Sequence, residues 1–185
     1  MTDDYLDRWA KSVQYQMVEK GHGFSVSDTE HTVGLLVLVA SEIFEAIHVV
    51  KKRYLDDIPG IREELADALI RMGHFAATAD ITLSDALPFA SFDDLGQSRV
   101  EMFGAFQNGQ WAMIARLGRL ANQACDVAEA WEGKPSYMME RAFCSLFASI
   151  SGAAVALGGS LDQTIADKTA VNGKRPYRFG VAHAA

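Results

Sequence analysis

Four acidic residues occur as two pairs, each with a three-residue spacing, in consecutive helix-like segments. Glu42 and Glu45 lie in SEIFEA, and Glu64 and Asp67 lie in EELADALIRM. Residues three apart stand on one face of a helix, so each pair places two carboxylates side by side. Converging carboxylates repel one another and are costly to desolvate, and a hard divalent cation neutralises them. An all-oxygen set without cysteine favours Mg²⁺, or Mn²⁺, over zinc.

The same pattern also fits a solvated helix surface. Single acidic pairs are common on exposed helices, where cations such as Lys51, Lys52, Arg53 and Arg62 would pair with them. Two pairs on consecutive helices, the first within a seam of leucine and valine, make metal binding an equally good explanation. Residue types and spacing leave both interpretations open.

The elements that carry these residues are predicted to be helices, because apolar residues recur with a 3.6-residue period along most of the chain. The expected fold is an all-α helical bundle. The short turn at 55–57 should make the second and third helices antiparallel neighbours, so that the four carboxylates converge. PFASFDDLGQS, 88–98, is predicted to be a linker because it gathers Pro, Gly, Ser and Asp. The first predicted helix runs from Asp3 or Asp4 to the GHG at 21–23, and the second runs from 27–29 to 54. The third begins at Asp57, with Pro59 in its first turn, and continues to 79. Further helices are predicted over 99–107, 109–132, 135–157 and 160–170.

Composition limits the classes of partner. A chain of 185 residues buries one substantial core, and its net charge of −7 argues against a nucleic-acid binder. The acidic N-terminus lacks an apolar signal region, and runs such as VGLLVLVA are short for a bilayer, so we expect a cytoplasmic protein without a membrane partner. Cys125 and Cys144 have no CxxC spacing and are expected to be buried free thiols.

The acidic motifs have a family resemblance. SEIFEA followed by EELADALIRM resembles the Glu-x-x-Glu and Glu-x-x-Asp signature of the MazG-like, all-α nucleoside triphosphate pyrophosphohydrolases. DKTAVNGKRPYRFG, 167–180, is similar to the Lys, Asn and Arg-Pro-Tyr tail of many members, and MVEKGHGF, 17–24, is similar to the stretch before their first acidic helix. The resemblance implies Mg²⁺-dependent hydrolysis of a nucleoside triphosphate to the monophosphate and pyrophosphate, by a homo-oligomer that is most simply a dimer.

The resemblance also implies roles for individual residues. The metal ligands would be Glu42, Glu45, Glu64 and Asp67, with Glu42 or Glu45 as the base that accepts a proton from water. Lys168, Asn172 and Arg175 would contact phosphate. Arg71 and His74 share the helix face of Asp67 and are further candidates for substrate contact, although many members have an acidic residue at the position of His74.

The length of the chain indicates an internal duplication. A single MazG-like unit is shorter, and ASEIFEA at 40–46 has an echo in ACDVAEA at 124–130, as Pro59 has in Pro135. We therefore predict one all-α domain with a metal-binding acidic half, 1–87, a degenerate half, 99–170, and a basic tail, 171–185. Asp126 and Glu129 replace the first acidic pair in the second half, whereas the helix after Pro135 lacks the second pair, so that site should be inactive.

Two other functional classes fit parts of the pattern. A catalytically silent helical module for nucleotide or protein binding would keep the fold without the chemistry. A di-metal carboxylate four-helix protein would use the Glu-x-x-His of EAIH, 45–48, but it needs a second such pair, and EKGH, 19–22, lies where glycines end the first helix. The complete set of four acids favours the enzyme.

Overall fold

The computed structural model describes residues 5–21, 23, 25, 28–86, 92–131, 134–158 and 161–174. This part of the chain contains helices and no strand, so the all-α prediction is confirmed. The helices are α1 (Tyr5–Glu19), α2 (Thr29–Arg53), α3 (Ile58–Thr78), α4 (Leu83–Ala86), α5 (Phe92–Gln107), α6 (Gln110–Glu129), α7 (Tyr137–Ala156) and α8 (Leu161–Lys174).

The two helices that carry the acidic pairs begin at side-chain caps. Asp28 accepts a hydrogen bond from the backbone N–H of His31 at 3.1 Å, and Asp57 accepts one from the N–H of Gly60 at 3.0 Å, with Pro59 in the first turn of α3. Each cap satisfies an N–H that has no partner within the helix. Both predicted helix starts are confirmed. The start predicted at Asp3 or Asp4 lies outside the described residues.

The predicted linker at 88–98 is wrong over its second part, because α5 begins at Phe92. Tertiary contacts outweigh the local preference for a turn. Ser98 is buried within α5, where its hydroxyl donates to the backbone oxygen of Ser149 at 2.6 Å and accepts from Arg116 at 2.9 Å. The last helix was predicted to end at residue 170, but α8 continues to Lys174, so residues 171–174 of the predicted tail are helical.

The helices share one hydrophobic core. Helix α2 packs against α3 and α6, α1 packs along α3, α5 packs along α7, and α8 lies on α3. Phe75 of α3 stands at the centre, with its ring 5.2 Å from the rings of both Phe143 and Trp131. Trp9 of α1 closes over Gly73, where an added Cβ would lie 2.7 Å from the indole ring. These contacts hold α3, and therefore its acidic face, in a fixed orientation.

Two further expectations concern α2 and the cysteines. Among the described residues, the Glu30–Arg53 segment of α2 is long and apolar enough to cross a membrane by length and composition alone, a test that core helices of globular proteins also pass. The run VGLLVLVA is thus part of a longer apolar helix than its own length indicated. Cys144 is buried, Cys125 is partly buried, and both thiols are free, as predicted.

Candidate metal centre

Three of the predicted ligands meet between α2 and α3. Glu42, Glu64 and Asp67 each offer one carboxylate oxygen, and these three oxygens lie within 4.8 Å of one another. The turn between the two helices brings their acidic faces together, and the three-residue spacing places Glu64 and Asp67 on the same side of α3. Glu42 is 6% exposed, and the other two are partly buried. Three converging carboxylates that are largely shielded from water are an arrangement suited to binding a cation.

Glu45 does not join this group, although it was predicted as the fourth ligand. Its side chain is exposed one turn after Glu42 on α2. Its negative charge still acts on the group, since it contributes to the raised pKa of both Glu42 and Glu64. Glu45 therefore lies at the edge of the acidic cluster, which we define as Glu42, Glu64 and Asp67.

Arg71, a predicted substrate contact, is paired with Glu42. Its Nε donates to Glu42 Oε1 at 2.5 Å, and its Nη2 contacts the same oxygen. Burial raises the pKa of Glu42; Arg71 opposes that rise, and the charges of Asp67 and Glu45 add to it. Arg71 thus stabilises the ionised form of a buried carboxylate and fixes its position.

Lys168 and Asn172, predicted phosphate contacts, both reach Asp67 from α8. Lys168 Nζ lies 3.0 Å from Asp67 Oδ2, and Asn172 Nδ2 donates to Asp67 Oδ1 at 2.8 Å. Burial alone would lower the pKa of Lys168, but the hydrogen bond and charge of Asp67, together with Glu64 and Glu63, raise it. Lys168 therefore remains an ammonium although its side chain is only 7% exposed.

Glu64 is the carboxylate that the protein's own cations compensate least. Burial is the main cause that raises its pKa to about 7; Lys168 opposes this rise, and Asp67 adds to it. In the metal-free protein Glu64 is therefore partly protonated near neutral pH. A divalent cation would displace that proton, since it stabilises the ionised carboxylate.

Sequence reasoning missed three side chains that hold α8 on the cluster. Glu63 lies 3.6 Å from Lys168 Nζ, Arg62 donates to Thr164 Oγ1 at 2.7 Å, and Lys20 donates to the backbone oxygen of Asn172. Their sequence positions gave a partial signal, because Arg62 and Glu63 precede Glu64 directly and Lys20 lies in the MVEKGHGF stretch. Nothing in the spacing indicated that α8 would be their partner.

The remaining predicted residues lie elsewhere. His74, one turn beyond Arg71, is 2% exposed and belongs to the buried part of α3. Arg175 lies outside the described residues.

Asp126 and Glu129 of α6 are both exposed. When the N-caps Asp57 and Ser136 are aligned, Phe143 and Leu146 take the positions of Glu64 and Asp67, and both are core residues, so the second half holds no equivalent acidic group at these positions.

The cluster fits a hard divalent cation in three respects. Its donors are carboxylate oxygens, which Mg²⁺ and Mn²⁺ prefer. Its three carboxylates exceed the two cations, Arg71 and Lys168, that contact it. Asn172 Oδ1 is also buried beside Asp67 and accepts no hydrogen bond from the part of the chain that the structure describes. An added cation would offset the excess charge.

The comparisons with known proteins give no match, so the functional proposal depends on the geometry of the site. No family model matches the chain, and neither the curated proteins nor the solved structures contain a match. The di-metal alternative loses support, because Glu45 and His48, its Glu-x-x-His pair, are both exposed and outside the acidic cluster.

Proposed function

We propose that this protein is a Mg²⁺-dependent nucleoside triphosphate pyrophosphohydrolase that releases the monophosphate and pyrophosphate. The observation that carries the proposal is the meeting of the acidic cluster with Lys168 and Asn172 at Asp67. A candidate cation site and candidate phosphate-binding groups are thereby next to each other. The resemblance of the same residues to the MazG-like motifs agrees with this assignment.

The ligands of Mg²⁺ would be Glu42, Glu64 and Asp67, with Arg71 holding Glu42 in place. When bound, the cation offsets negative charge on the phosphoryl oxygens and orients or acidifies the attacking water. Mn²⁺ suits the same oxygen donors. Each of the three carboxylates would be ionised in the loaded protein, so Glu64 would lose the proton that it carries at neutral pH without metal.

Glu45 is the better candidate for the general base. A base needs an uncommitted oxygen within reach of the water that it deprotonates. Glu42 Oε1 already accepts from Arg71, whereas Glu45 is exposed and its charge acts on the cluster from the adjacent turn. The replacement Glu45→Gln should therefore lower kcat by a larger factor than it weakens metal binding, which it affects only through the loss of a nearby charge.

Lys168 and Asn172 would contact the triphosphate. An ammonium and an amide N–H are both donors to phosphate oxygens, and Lys168 places a positive charge next to the acidic cluster. In the metal-free protein the two side chains contact Asp67 instead. Arg175 remains a predicted third contact.

The duplication also stays part of the proposal. Helices α1 and α3 pack along each other as α5 and α7 do, and α2 and α6 pack against each other, which is the arrangement expected of two related halves. The first half would supply the metal ligands, and the second half would support them through the shared core. Helix α8 begins within the second half, 99–170, but contacts α3, so it would serve the acidic half.

A panel of standard and modified nucleoside triphosphates tests the proposal by pyrophosphate release with Mg²⁺ or Mn²⁺. At least one substrate should be hydrolysed between its α and β phosphates, and a chelator or Asp67→Asn should abolish the reaction. Glu129→Gln, at an exposed acidic residue on α6, is the matched control and should keep activity. A panel without hydrolysis under either metal would refute the proposal.

A silent binding module is the second candidate, because Arg71 and Lys168 already pair with Glu42 and Asp67. Such ion pairs also occur in purely structural networks. Calorimetry with a non-hydrolysable triphosphate separates the two candidates. Nucleotide binding without any turnover of the corresponding substrate would favour the module.

A further inference from the structure

Helix α8 contacts the acidic face of α3 through a polar stripe. Thr164, Lys168 and Asn172 follow one another at four-residue spacing, so they stand on one side of the helix. Their side chains contact Arg62 and Asp67 of α3. The stripe therefore lies directly over one wall of the acidic cluster.

Polar contacts dominate the attachment of α8 over 163–172, where its side chains are described. Among its described side chains, Ile165 is the buried apolar residue, whereas Val171 is 49% exposed. Lys20 adds a hydrogen bond to the backbone oxygen of Asn172 near the end of the helix. A helix held by ion pairs and hydrogen bonds is easier to displace than one held by a buried apolar face, because water and solute ions can replace its partners.

Both carboxylate oxygens of Asp67 are engaged by this helix. Lys168 contacts Oδ2 at 3.0 Å, and Asn172 donates to Oδ1 at 2.8 Å. A divalent cation that binds Asp67 must share the carboxylate with the ammonium or displace it. Two positive groups on one carboxylate repel each other, and the repulsion is stronger where water is excluded, as it is around the buried Lys168.

We propose that Lys168 is an internal counter-ion that competes with the divalent cation for Asp67, so that α8 acts as a lid and metal and triphosphate bind cooperatively. This inference rests on the proposed function. In the metal-free protein Lys168 neutralises Asp67 and α8 stays docked on α3. A divalent cation alone binds weakly, because it displaces or repels the ammonium.

The triphosphate removes this obstacle. Its phosphate oxygens offer Lys168 and Asn172 new anionic partners, so the two side chains leave Asp67 to the cation at little cost. The cation therefore binds more tightly when the triphosphate is present, and by linkage the triphosphate gains the same factor from the cation. The protein thereby discriminates between a free metal ion and a metal–triphosphate complex.

Mn²⁺ titration of the full chain, without nucleotide and followed by electron paramagnetic resonance, tests the competition. Lys168→Met should bind Mn²⁺ roughly fivefold or more tightly than the wild type, within the usual range of coupling between sites. Lys168→Arg keeps the charge and should resemble the wild type. Lys134→Met, at an exposed lysine before α7, controls for the loss of one positive charge.

A second titration includes a triphosphate with a methylene bridge between its α and β phosphorus atoms. This analogue should tighten Mn²⁺ binding by the wild type and should have a smaller effect on Lys168→Met. Hydrogen exchange over 161–174 should rise when both ligands are bound, as expected for an undocked helix. Absence of that rise would mean that α8 stays docked and is not a lid.

The outcomes separate this inference from the proposed function. Equal Mn²⁺ affinities for the wild type and Lys168→Met would overturn the competition and leave the proposed hydrolysis intact. Weaker binding by Lys168→Met would also overturn it, because Lys168 would then assist the cation. A failure of all variants to bind Mn²⁺, with or without the analogue, would overturn both proposals.

Discussion

Among the described residues, a partly buried charged centre lies in each half of the molecule, and the two centres have opposite character. In the first half, the carboxylates of Glu42, Glu64 and Asp67 converge. In the second half, a buried arginine, Arg116, pairs with Glu101 at 3.1 Å. Burial lowers the pKa of Arg116, against the opposing effect of Glu101. The first centre carries excess negative charge, whereas the second has one partner charge for its one buried cation.

The two centres differ in how fully the surrounding helices compensate their charge. Arg116 also donates to Ser98, whose hydroxyl donates in turn to the backbone of Ser149, so neighbouring helices satisfy most of this centre. The acidic cluster draws on α2, α3 and α8 and still lacks a full complement of positive charge. Excess charge is costly in a metal-free protein and useful in one that binds a cation.

The largest expected effect concerns the acidic residues themselves. Glu42→Gln should lower kcat by roughly 100-fold or more, because Glu42 is a ligand of the proposed catalytic cation. Asp126→Asn, at the predicted counterpart in α6, should leave kcat within about twofold, since that side chain is exposed and stands in no acidic group. Steady-state kinetics on the best substrate of the panel measure both. Equal losses would mean that the second half also takes part in catalysis.

Removal of one arginine from each centre should affect stability unequally. Arg71→Met leaves Glu42, with 7% of its side chain exposed, buried without its partner, at a cost of about 2–3 kcal/mol. Arg116→Met leaves Glu101, with 35% of its side chain exposed, able to hydrate, and should cost about 1 kcal/mol. Urea denaturation gives both values. Added Mg²⁺ should restore stability to Arg71→Met alone, and restoration of Arg116→Met would show that the ion acts elsewhere.

Helix packing offers a smaller contrast. An added Cβ at Gly73 meets the Trp9 ring at 2.7 Å, so Gly73→Ala should destabilise the fold by about 1–2 kcal/mol through overpacking. Gly118 of α6 has no atom within 4 Å of the corresponding position, so Gly118→Ala should stabilise by about 0.5–1 kcal/mol through helix propensity. Thermal and urea unfolding report both changes. A stabilising Gly73→Ala would mean that Trp9 moves aside easily.

An effect of similar size is the pH dependence of the metal-free protein. Folding raises the pKa of Glu64 from 4.5 to about 7, so the folded state binds this proton more tightly and loses stability as pH rises from about 4.5 to above 7. Glu64→Gln removes that loss. With a chelator present, the variant should match the wild type near pH 4 and exceed its stability by about 1 kcal/mol near pH 8, a value reduced from the full shift because solvent screens the partly exposed side chain. A stability difference between the two proteins that is independent of pH would mean that folding does not raise the pKa of Glu64.

Local sequence signals predicted where α2 and α3 begin. Asp28 and Asp57 lie just before apolar periods, and capping depends on neighbours in sequence, so both helix starts followed from the residues. The start of α5 did not follow, because Ser98 is held by residues that are distant in sequence. Turn-forming composition is a local signal, and it cannot report such tertiary contacts.

The site was predictable in part for the same reason. The sequence spacing predicted that Glu42, Glu64 and Asp67 would meet, but it did not show that Glu42 would join the group and Glu45 would not. Residues three apart on a helix differ by about 60° in direction, which is enough to turn one carboxylate inward and leave the other in water. The contact of Lys168 with Asp67 had no spacing signal, and its place at the site was expected from the family resemblance alone.

The long sequence separation between Asp67 and α8 has a consequence for synthesis. Asn172 donates to Asp67 across a separation of 105 residues, so Asp67 leaves the ribosome well before its partner is translated. At about 5–20 residues per second, the interval is roughly 5–20 s. Throughout it, the nascent acidic cluster lacks the ammonium of Lys168. A divalent cation would therefore be the counter-ion at hand while α2 and α3 fold, because α8 is translated later.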